Sequence, residues 1–172
     1  SEECITRSLE ALREASASDC AFVAFLDDAM KIASIQVARN GLAQCRPELL
    51  RGDDLESYPW LRGRLEHLRL SEIKDSAAPR REQAVEASRF ADASIASVLL
   101  VVFRVRGQPA GVLALANSLP RGSFDVNLQL LLKLIGTSLA TGIERIRIDA
   151  RLSKLEERIR LSQSAANDGV WD

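Results

Sequence analysis

The chain has 172 residues, of which 47% are hydrophobic and 27% are charged. These shares are close to the averages of globular proteins, so they exclude a wholly disordered chain and predict about one domain with a surplus of residues. The 23 basic and 24 acidic side chains give a formal net charge of −1. That balance gives no excess of positive charge for binding nucleic acid, so no nucleic-acid partner is predicted.

Hydropathy and cysteine usage exclude two further classes of protein. The longest apolar run, 98–103, is far shorter than the ~20 residues of a membrane span, so we predict no membrane contact. The three cysteines contain no Cys-x-x-Cys pair, which predicts neither a disulfide framework nor a metal site. Together with an acidic start that does not resemble a signal peptide, this usage predicts a cytoplasmic protein.

The first part of the chain predicts one helix followed by a hairpin. Apolar residues at spacings of four and three predict a helix over 4–17. The apolar run 21–26 predicts a strand that is covered on both faces, and 31–38 predicts its antiparallel neighbour. The second strand ends at Asn40-Gly41, which is a turn signal.

The middle, 42–93, is the least regular part and contains three of the five prolines. A helix is predicted to start near Asp53. Its helical spacing continues at Trp60, Leu61, Leu65 and Leu68. A short strand is predicted over 68–73. Another short helix is predicted over 79–90, with Pro79 in its first turn.

Residues 95–116 carry the clearest strand signal. The run 98–103 is rich in β-branched residues and apolar on both faces, so it belongs in the centre of a sheet. Residues 106–109 predict a turn, and 111–116 predict a second central strand. The order of elements predicts an α+β fold with a central antiparallel sheet of five to six strands and helices on its faces.

One long helix is predicted over 123–166, with Ser123 as its N-cap and Asp125 in its first turn. In its first half, an apolar stripe is expected to lie on the sheet: Leu128, Leu132, Ile135, Leu139, Ile143 and Ile146. The second half changes phase and has the spacing of a coiled-coil seam: Ile148, Leu152, Leu155, Ile159 and Ser162. A helix of ~40 residues is too long for a small domain to cover, so the seam predicts a parallel homodimer and a signalling role.

This layout resembles a GAF domain over about residues 3–147. The resemblance rests on 18–25 as the first strand, on 58–61 in the middle, and on 95–99 with 107–115 as the central hairpin. The tail, 155–161 followed by 165–172, resembles the entry into a PAS domain. We therefore expect a GAF sensor domain at 1–147, a coiled-coil linker at 148–166 and the start of a truncated PAS domain at 167–172. The chain is thus read as a fragment of a longer protein.

The resemblance implies an input module of a bacterial signalling protein whose output is cyclic-di-GMP turnover, as in a diguanylate cyclase, or a histidine kinase. The segments that wall the ligand pocket of GAF domains give the candidate pocket residues Tyr58, Trp60, His67, Arg89, Phe90 and Ser97. The bilin-attachment patterns of some GAF domains are not met, because Cys45 precedes Arg46 and Asp19 directly precedes Cys20. The cofactor is therefore left unknown, and the binding set of cyclic-nucleotide GAF domains is absent.

Three functions remain open. The first is a non-catalytic sensor that binds a small molecule between the sheet and 55–92 and passes the change along a dimeric helix to PAS and output domains. The second is a ligand-free dimerisation and spacer module, which a middle segment filled by Leu61, Leu65 and Val85 would favour. The third is a methionine sulfoxide reductase of GAF type, which needs two cysteines within disulfide reach. The spread of the three cysteines along the sequence argues against it.

Overall fold

A computed structural model describes residues 2–170 of the chain, with side chains through Asn167. Its helices are α1 (Glu2–Ser16), α2 (Pro59–Arg62), α3 (Ala84–Asp92) and α4 (Val126–Val170). Its strands are β1 (Cys20–Leu26), β2 (Ile32–Arg39), β3 (Leu70–Ile73), β4 (Ser97–Val105) and β5 (Gln108–Asn117). Short 3-10 helices lie at Pro47–Leu50, Leu55–Ser57 and Arg81–Gln83.

The five strands form one antiparallel sheet in the order β2-β1-β5-β4-β3. The predicted α+β fold, with an antiparallel sheet of five to six strands and a long C-terminal helix, is therefore confirmed, and the sheet has five strands. The two strands with the strongest apolar pattern, β4 and β5, are both internal, as predicted. All of β4 except Arg104 is buried, because neighbouring strands cover its edges and helices cover its faces.

Different parts of the chain pack on the two faces of the sheet. Phe22 of β1 and Leu100 of β4 point to the face that carries Tyr58 and Phe90, and all four belong to one buried apolar cluster. Side chains alternate along a strand, so the neighbouring row, which includes Val101, points to the other face. There Val101 lies close to the buried Gly136 of α4.

Several predicted boundaries differ from the structure. The helical spacing from Trp60 to Leu68 does not give one helix, because α2 ends at Arg62 and Leu68 has a left-handed φ of 60°. The helix predicted from Pro79 begins with the 3-10 turn at Arg81. The hairpin turn is only Arg106-Gly107, both with positive φ, so 108–109 already belong to β5.

Helix α4 begins three residues later than predicted. Ser123 is not its N-cap; Asp125 is, because the Asp125 carboxylate accepts a hydrogen bond from Asn127 N at 2.6 Å. Of the predicted sheet-facing stripe, Leu132 is fully buried and four members are half-buried. Ile146 is 64% exposed, so the stripe ends before it.

Contacts divide the chain into a compact unit that ends at Ala140 and a second unit that begins at Thr141. The predicted boundary between sensor domain and linker at 147/148 stays a prediction. The predicted start of a PAS domain at 167–172 includes Trp171 and Asp172, which lie outside the described residues. Up to Val170 the backbone continues α4.

Candidate functional site

The face of the sheet that carries Tyr58 and Phe90 closes over a small cavity. Its volume is about 30 Å³, which is room for about one water molecule. Its walls are apolar and come from the sheet, from 50–61 and from α3: Phe22, Ala24, Ile32, Leu50, Leu55, Tyr58, Leu61, Phe90, Leu100 and Val112. Side chains of the middle segment therefore occupy the space between that segment and the sheet.

A polar network borders this cavity. The Tyr58 hydroxyl donates a hydrogen bond to Asp53 Oδ2. Arg89 Nε donates to the same oxygen at 2.7 Å, and Arg89 Nη2 donates to Asp53 Oδ1 at 3.1 Å. Nη2 also reaches the carbonyl oxygen of Leu49 at 2.6 Å. The network ties 49–58 to α3.

The same network shifts two pKa values. Burial, followed by the hydrogen bond to Asp53, raises the pKa of Tyr58 well above its ordinary value. The hydrogen bond to Asp53 raises the pKa of the Arg89 guanidinium. Tyr58 therefore stays protonated and Arg89 stays charged through the neutral range.

A buried carboxylate fixes α2 against α3. Glu86 is 1% exposed, and its Oε2 accepts a hydrogen bond from Leu61 N at 2.9 Å. The other oxygen, Oε1, has no hydrogen-bond partner among the residues that the structure describes. Glu86 thus satisfies a backbone donor of α2 that the helix itself leaves free.

The six predicted pocket residues are not gathered in one place. Tyr58 and Phe90 line the small cavity, and Arg89 joins them through Asp53. Trp60 lines a different cleft, of about 210 Å³, at the β3 edge, where Arg64 lies 5.3 Å above its ring. A ligand-binding role stays a prediction for the first three.

The last two predicted pocket residues lie at opposite ends of β4. His67 is exposed, and its Nδ1 accepts a hydrogen bond from Arg104 N at 2.9 Å. Ser97, at the start of the strand, donates its hydroxyl to the carbonyl oxygen of Leu119 at 2.9 Å. Neither lines the cavity. A ligand-binding role for these two residues also stays a prediction.

Two of the cysteines that are far apart in sequence belong to one buried apolar cluster. Cys20 and Cys45 are both 0% exposed, and their interaction lowers the pKa of Cys20 and raises the pKa of Cys45. Cys4 is exposed and separate. Neither thiol of the pair lines the small cavity. Sequence spacing could not reveal the pair, because it forms only when the chain returns from β2 past the start of β1.

The second unit presents apolar side chains to solvent. Every residue from Arg145 to Asn167 is exposed. The four residues of the predicted seam have exposures between 37% and 53%: Ile148, Leu152, Leu155 and Ile159. An exposed apolar row is typical of surfaces that bind a partner, and the predicted dimer through this row stays a prediction.

Helix α4 also passes a length and composition test for a membrane span. Within Val126–Asn167, its most apolar 18-residue window has a mean hydropathy of 1.3, and 17% of that window is buried. Core helices of soluble proteins pass the same test. Both Leu132 and Gly136, which are buried, belong to this helix. The predicted absence of membrane contact stays a prediction.

Comparison with known proteins identifies the fold. No protein-family model and no curated protein matches the sequence. Among solved structures, the phycocyanobilin-bound GAF domain from a cyanobacterial phytochrome shares 14% identity at a TM-score of 0.68, covering 86% of each chain. The blue-light absorbing form of the Thermosynechococcus elongatus PixJ GAF domain shares 16% identity at 0.67, covering 91% of this chain and 92% of its own.

A third similar structure is the GAF domain/HD domain protein from Geobacter sulfurreducens. It shares 17% identity at a TM-score of 0.66, covering 86% of this chain and 94% of its own. At these identities the likeness concerns the fold alone. The chain therefore has the fold of a GAF domain, as the sequence resemblance predicts.

Proposed function

We propose that this chain is a non-catalytic sensory or regulatory domain of a cytoplasmic signalling protein, and that it works as a parallel homodimer joined through α4. The exposed apolar seam of α4 is the observation that carries the proposal. The output passes along α4 to the predicted PAS domain and then to an enzyme of cyclic-di-GMP turnover or a histidine kinase. A shift in the register or rotation of the paired helices would carry the signal.

The part of α4 that belongs to the first unit also presents apolar side chains to solvent. Leu130 and Leu134 are 53% and 65% exposed, whereas Leu132 between them is buried. Within the first unit, α4 thus has one face against its own domain and one exposed apolar face.

Charges beside the seam favour a second copy in parallel orientation. With Leu152 at a and Leu155 at d, Arg151 and Arg158 occupy g positions, and Asp149 and Glu156 occupy e positions. In a parallel pair, Arg151 of one helix faces Glu156 of the other. An antiparallel pair would place arginine against arginine and carboxylate against carboxylate, which is repulsive.

The proposal has two forms, and the size of the cavity supports one of them. A pocket for a small organic ligand needs roughly 300 Å³ or more, about ten times the observed 30 Å³. A ligand would therefore have to displace Tyr58 or Leu61 and break the network of Asp53 and Arg89. A ligand-free dimerisation and spacer module needs no such change. The filled cavity favours this second form, although Val85, expected to help fill the space, is 50% exposed.

Native mass spectrometry of the chain and two matched variants tests the proposal. Leu155→Asp changes the seam, whereas Leu161→Asp changes a leucine of similar exposure on the other side of α4. We expect dimers for the chain and for Leu161→Asp. For Leu155→Asp we expect monomers and a dissociation constant raised at least about 100-fold, because a buried unpaired charge would face the partner.

Circular dichroism of each variant controls for loss of helix. Dimerisation that survives Leu155→Asp, or that both variants abolish equally, would contradict the proposed interface. The same spectra distinguish the two forms. An extra mass that disappears on denaturation supports a small-molecule sensor, and an unloaded dimer supports the spacer module.

A further inference from the structure

The β3 cleft lies at one edge of the sheet, apart from the closed cavity. β3 is the outermost strand, so only one of its edges pairs with a neighbour, β4. The cleft has a volume of about 210 Å³, against about 30 Å³ for the cavity, and its walls are mostly polar. Two arginines line it: Arg64, which follows α2, and Arg80, which precedes α3.

Arg64 is held in this cleft by three contacts. Its Nε donates a hydrogen bond to Ser71 Oγ at 2.5 Å, and its Nη2 donates to the carbonyl oxygen of Leu70 at 2.9 Å. The guanidinium carbon lies 5.3 Å from the centre of the Trp60 ring. Nη1 donates to no residue that the structure describes. The guanidinium is therefore oriented by the protein while part of its hydrogen-bonding capacity stays available.

The buried Gln83 fixes the backbone of Arg80 beside β3. Gln83 is 3% exposed, and its Nε2 donates a hydrogen bond to the carbonyl oxygen of Glu72 at 3.0 Å. Its Oε1 accepts a hydrogen bond from Arg80 N at 3.3 Å. Both arginines are thus anchored to the outer edge of β3, one through its side chain and the other through its backbone.

The two arginines bring positive charge to the cleft without a counter-ion. Neither forms an ion pair with any carboxylate between Glu2 and Asn167, the range whose side chains are described. Glu72 also lines the cleft, but its carboxylate lies 3.8 Å from Lys74 Nζ. Positive charge that no carboxylate of the chain neutralises is what an anionic ligand requires.

The surroundings of Arg64 make its charge costly in the unliganded chain. Burial lowers the pKa of Arg64, and the charges of Arg69 and Arg80 act in the same direction, against that of Glu66. The guanidinium still keeps its charge at neutral pH. A bound anion would offset these effects, because it would replace lost hydration and stabilise the charged side chain.

We propose that the β3 cleft binds a phosphate group, free or carried by a small molecule, through Arg64 and Arg80. The planar fork of a guanidinium matches two oxygens of a phosphate, and a phosphate carries enough negative charge for two arginines. A phosphate group fills only part of the cleft, so room remains for part of an organic group. Binding here requires neither the closed cavity nor paired α4 helices, so this inference is independent of the proposed function.

Isothermal titration calorimetry of the chain with phenyl phosphate and with inorganic phosphate tests this inference. Arg64→Gln should raise the dissociation constant at least about tenfold, because charge-assisted hydrogen bonds are lost. Arg80 is exposed, so Arg80→Gln should preserve the fold and raise the constant at least about threefold. Circular dichroism controls for folding, and Arg80→Gln decides alone if Arg64→Gln does not fold.

Arg62→Gln is the matched control, because it removes the same charge from an exposed residue of α2 that does not line the cleft. It should change the dissociation constant by less than about twofold. Tighter binding of phenyl phosphate would support an organic phosphate as the ligand, and equal affinities would support free phosphate. No binding of either probe up to about 10 mM, or equal weakening by Arg62→Gln and the cleft variants, would overturn the inference.

Discussion

The two units of the chain differ in how far they bury their apolar residues. In the first, which ends at Ala140, the strands β1, β4 and β5 are buried almost throughout, and residues such as Phe103 and Leu113 expose no surface. In the second, Leu152 and Leu155 are more than half exposed. The first unit completes its own core, whereas the apolar row of the second is left uncovered by this chain. If the proposed dimer forms, the stability of the second unit depends on association, and that of the first does not.

A glycine-to-alanine substitution in each unit tests this difference in packing. In Gly111→Ala, the new Cβ would lie 2.7 Å from the carbonyl oxygen of Ala24 and would overlap the ring of Phe103. The Ala24 backbone lies in β1 and cannot move without disturbing the pairing with β5. We expect a loss of roughly 1–3 kcal/mol in the free energy of unfolding, measured by chemical denaturation.

Gly142→Ala is the counterpart in α4. A Cβ at this position has no heavy atom within 4 Å, so it meets open space. Because alanine is a better helix former, we expect a gain of up to about 1 kcal/mol in helix stability, seen as a higher midpoint of thermal unfolding by circular dichroism. A stabilising Gly111→Ala would show that the first unit is loosely packed. A strongly destabilising Gly142→Ala would show that the second unit is covered closely at this face.

The closed cavity makes the first unit sensitive to alkaline pH through Tyr58. The ordinary pKa of tyrosine is 10.0, and burial with the hydrogen bond to Asp53 raises it in the folded chain. Above about pH 10 the unfolded chain loses this proton and the folded chain keeps it. The contribution of Tyr58 to the free energy of unfolding is therefore complete below pH 10. It falls as pH rises, by at most about 1.4 kcal/mol per pH unit.

Tyr58→Phe should remove this part of the alkaline slope, because phenylalanine does not titrate. The measurement is the free energy of unfolding of both proteins at several pH values between 8 and about 11.5. Parallel curves for the two proteins would show that Tyr58 is not held protonated by its site, and would contradict the closed network around the cavity.

The sheet and its two central strands were open to prediction because strands buried on both faces leave continuous apolar runs, as in β4 and β5. The strand order was not. Helix α1 and the length of α4 follow from apolar periodicity in the same way. The middle segment was less predictable, because Leu61, Leu65 and Leu68 have helical spacing that tertiary packing overrides. Leu61 closes the cavity, and Leu68 adopts a left-handed backbone conformation before β3.

For the candidate site, the sequence predicted individual residues but not the contacts between them. Tyr58 and Phe90 were predictable as wall residues, but Asp53, which joins Tyr58 to Arg89, was noted only as a helix start. Its role depends on α3 packing beside 49–58, which leaves no local sequence signal. The placement of Cys20 and Cys45 in one buried cluster likewise depends on the return of the chain after β2. By contrast, the apolar row of α4 lies within one helix, so periodicity alone could locate it, and its role as a dimer seam stays a prediction.

The central claim is that the seam of α4 joins two copies in parallel, and self-crosslinking through Ile159→Cys tests it most directly. In a parallel pair, equal positions of the two helices face each other at the seam. Mild oxidation of Ile159→Cys in a Cys4→Ser background should therefore give a covalent dimer of this single variant. In an antiparallel pair, residue 159 would face residue 148. A crosslink formed only when Ile148→Cys and Ile159→Cys proteins are mixed, or no crosslink at all, would contradict the account.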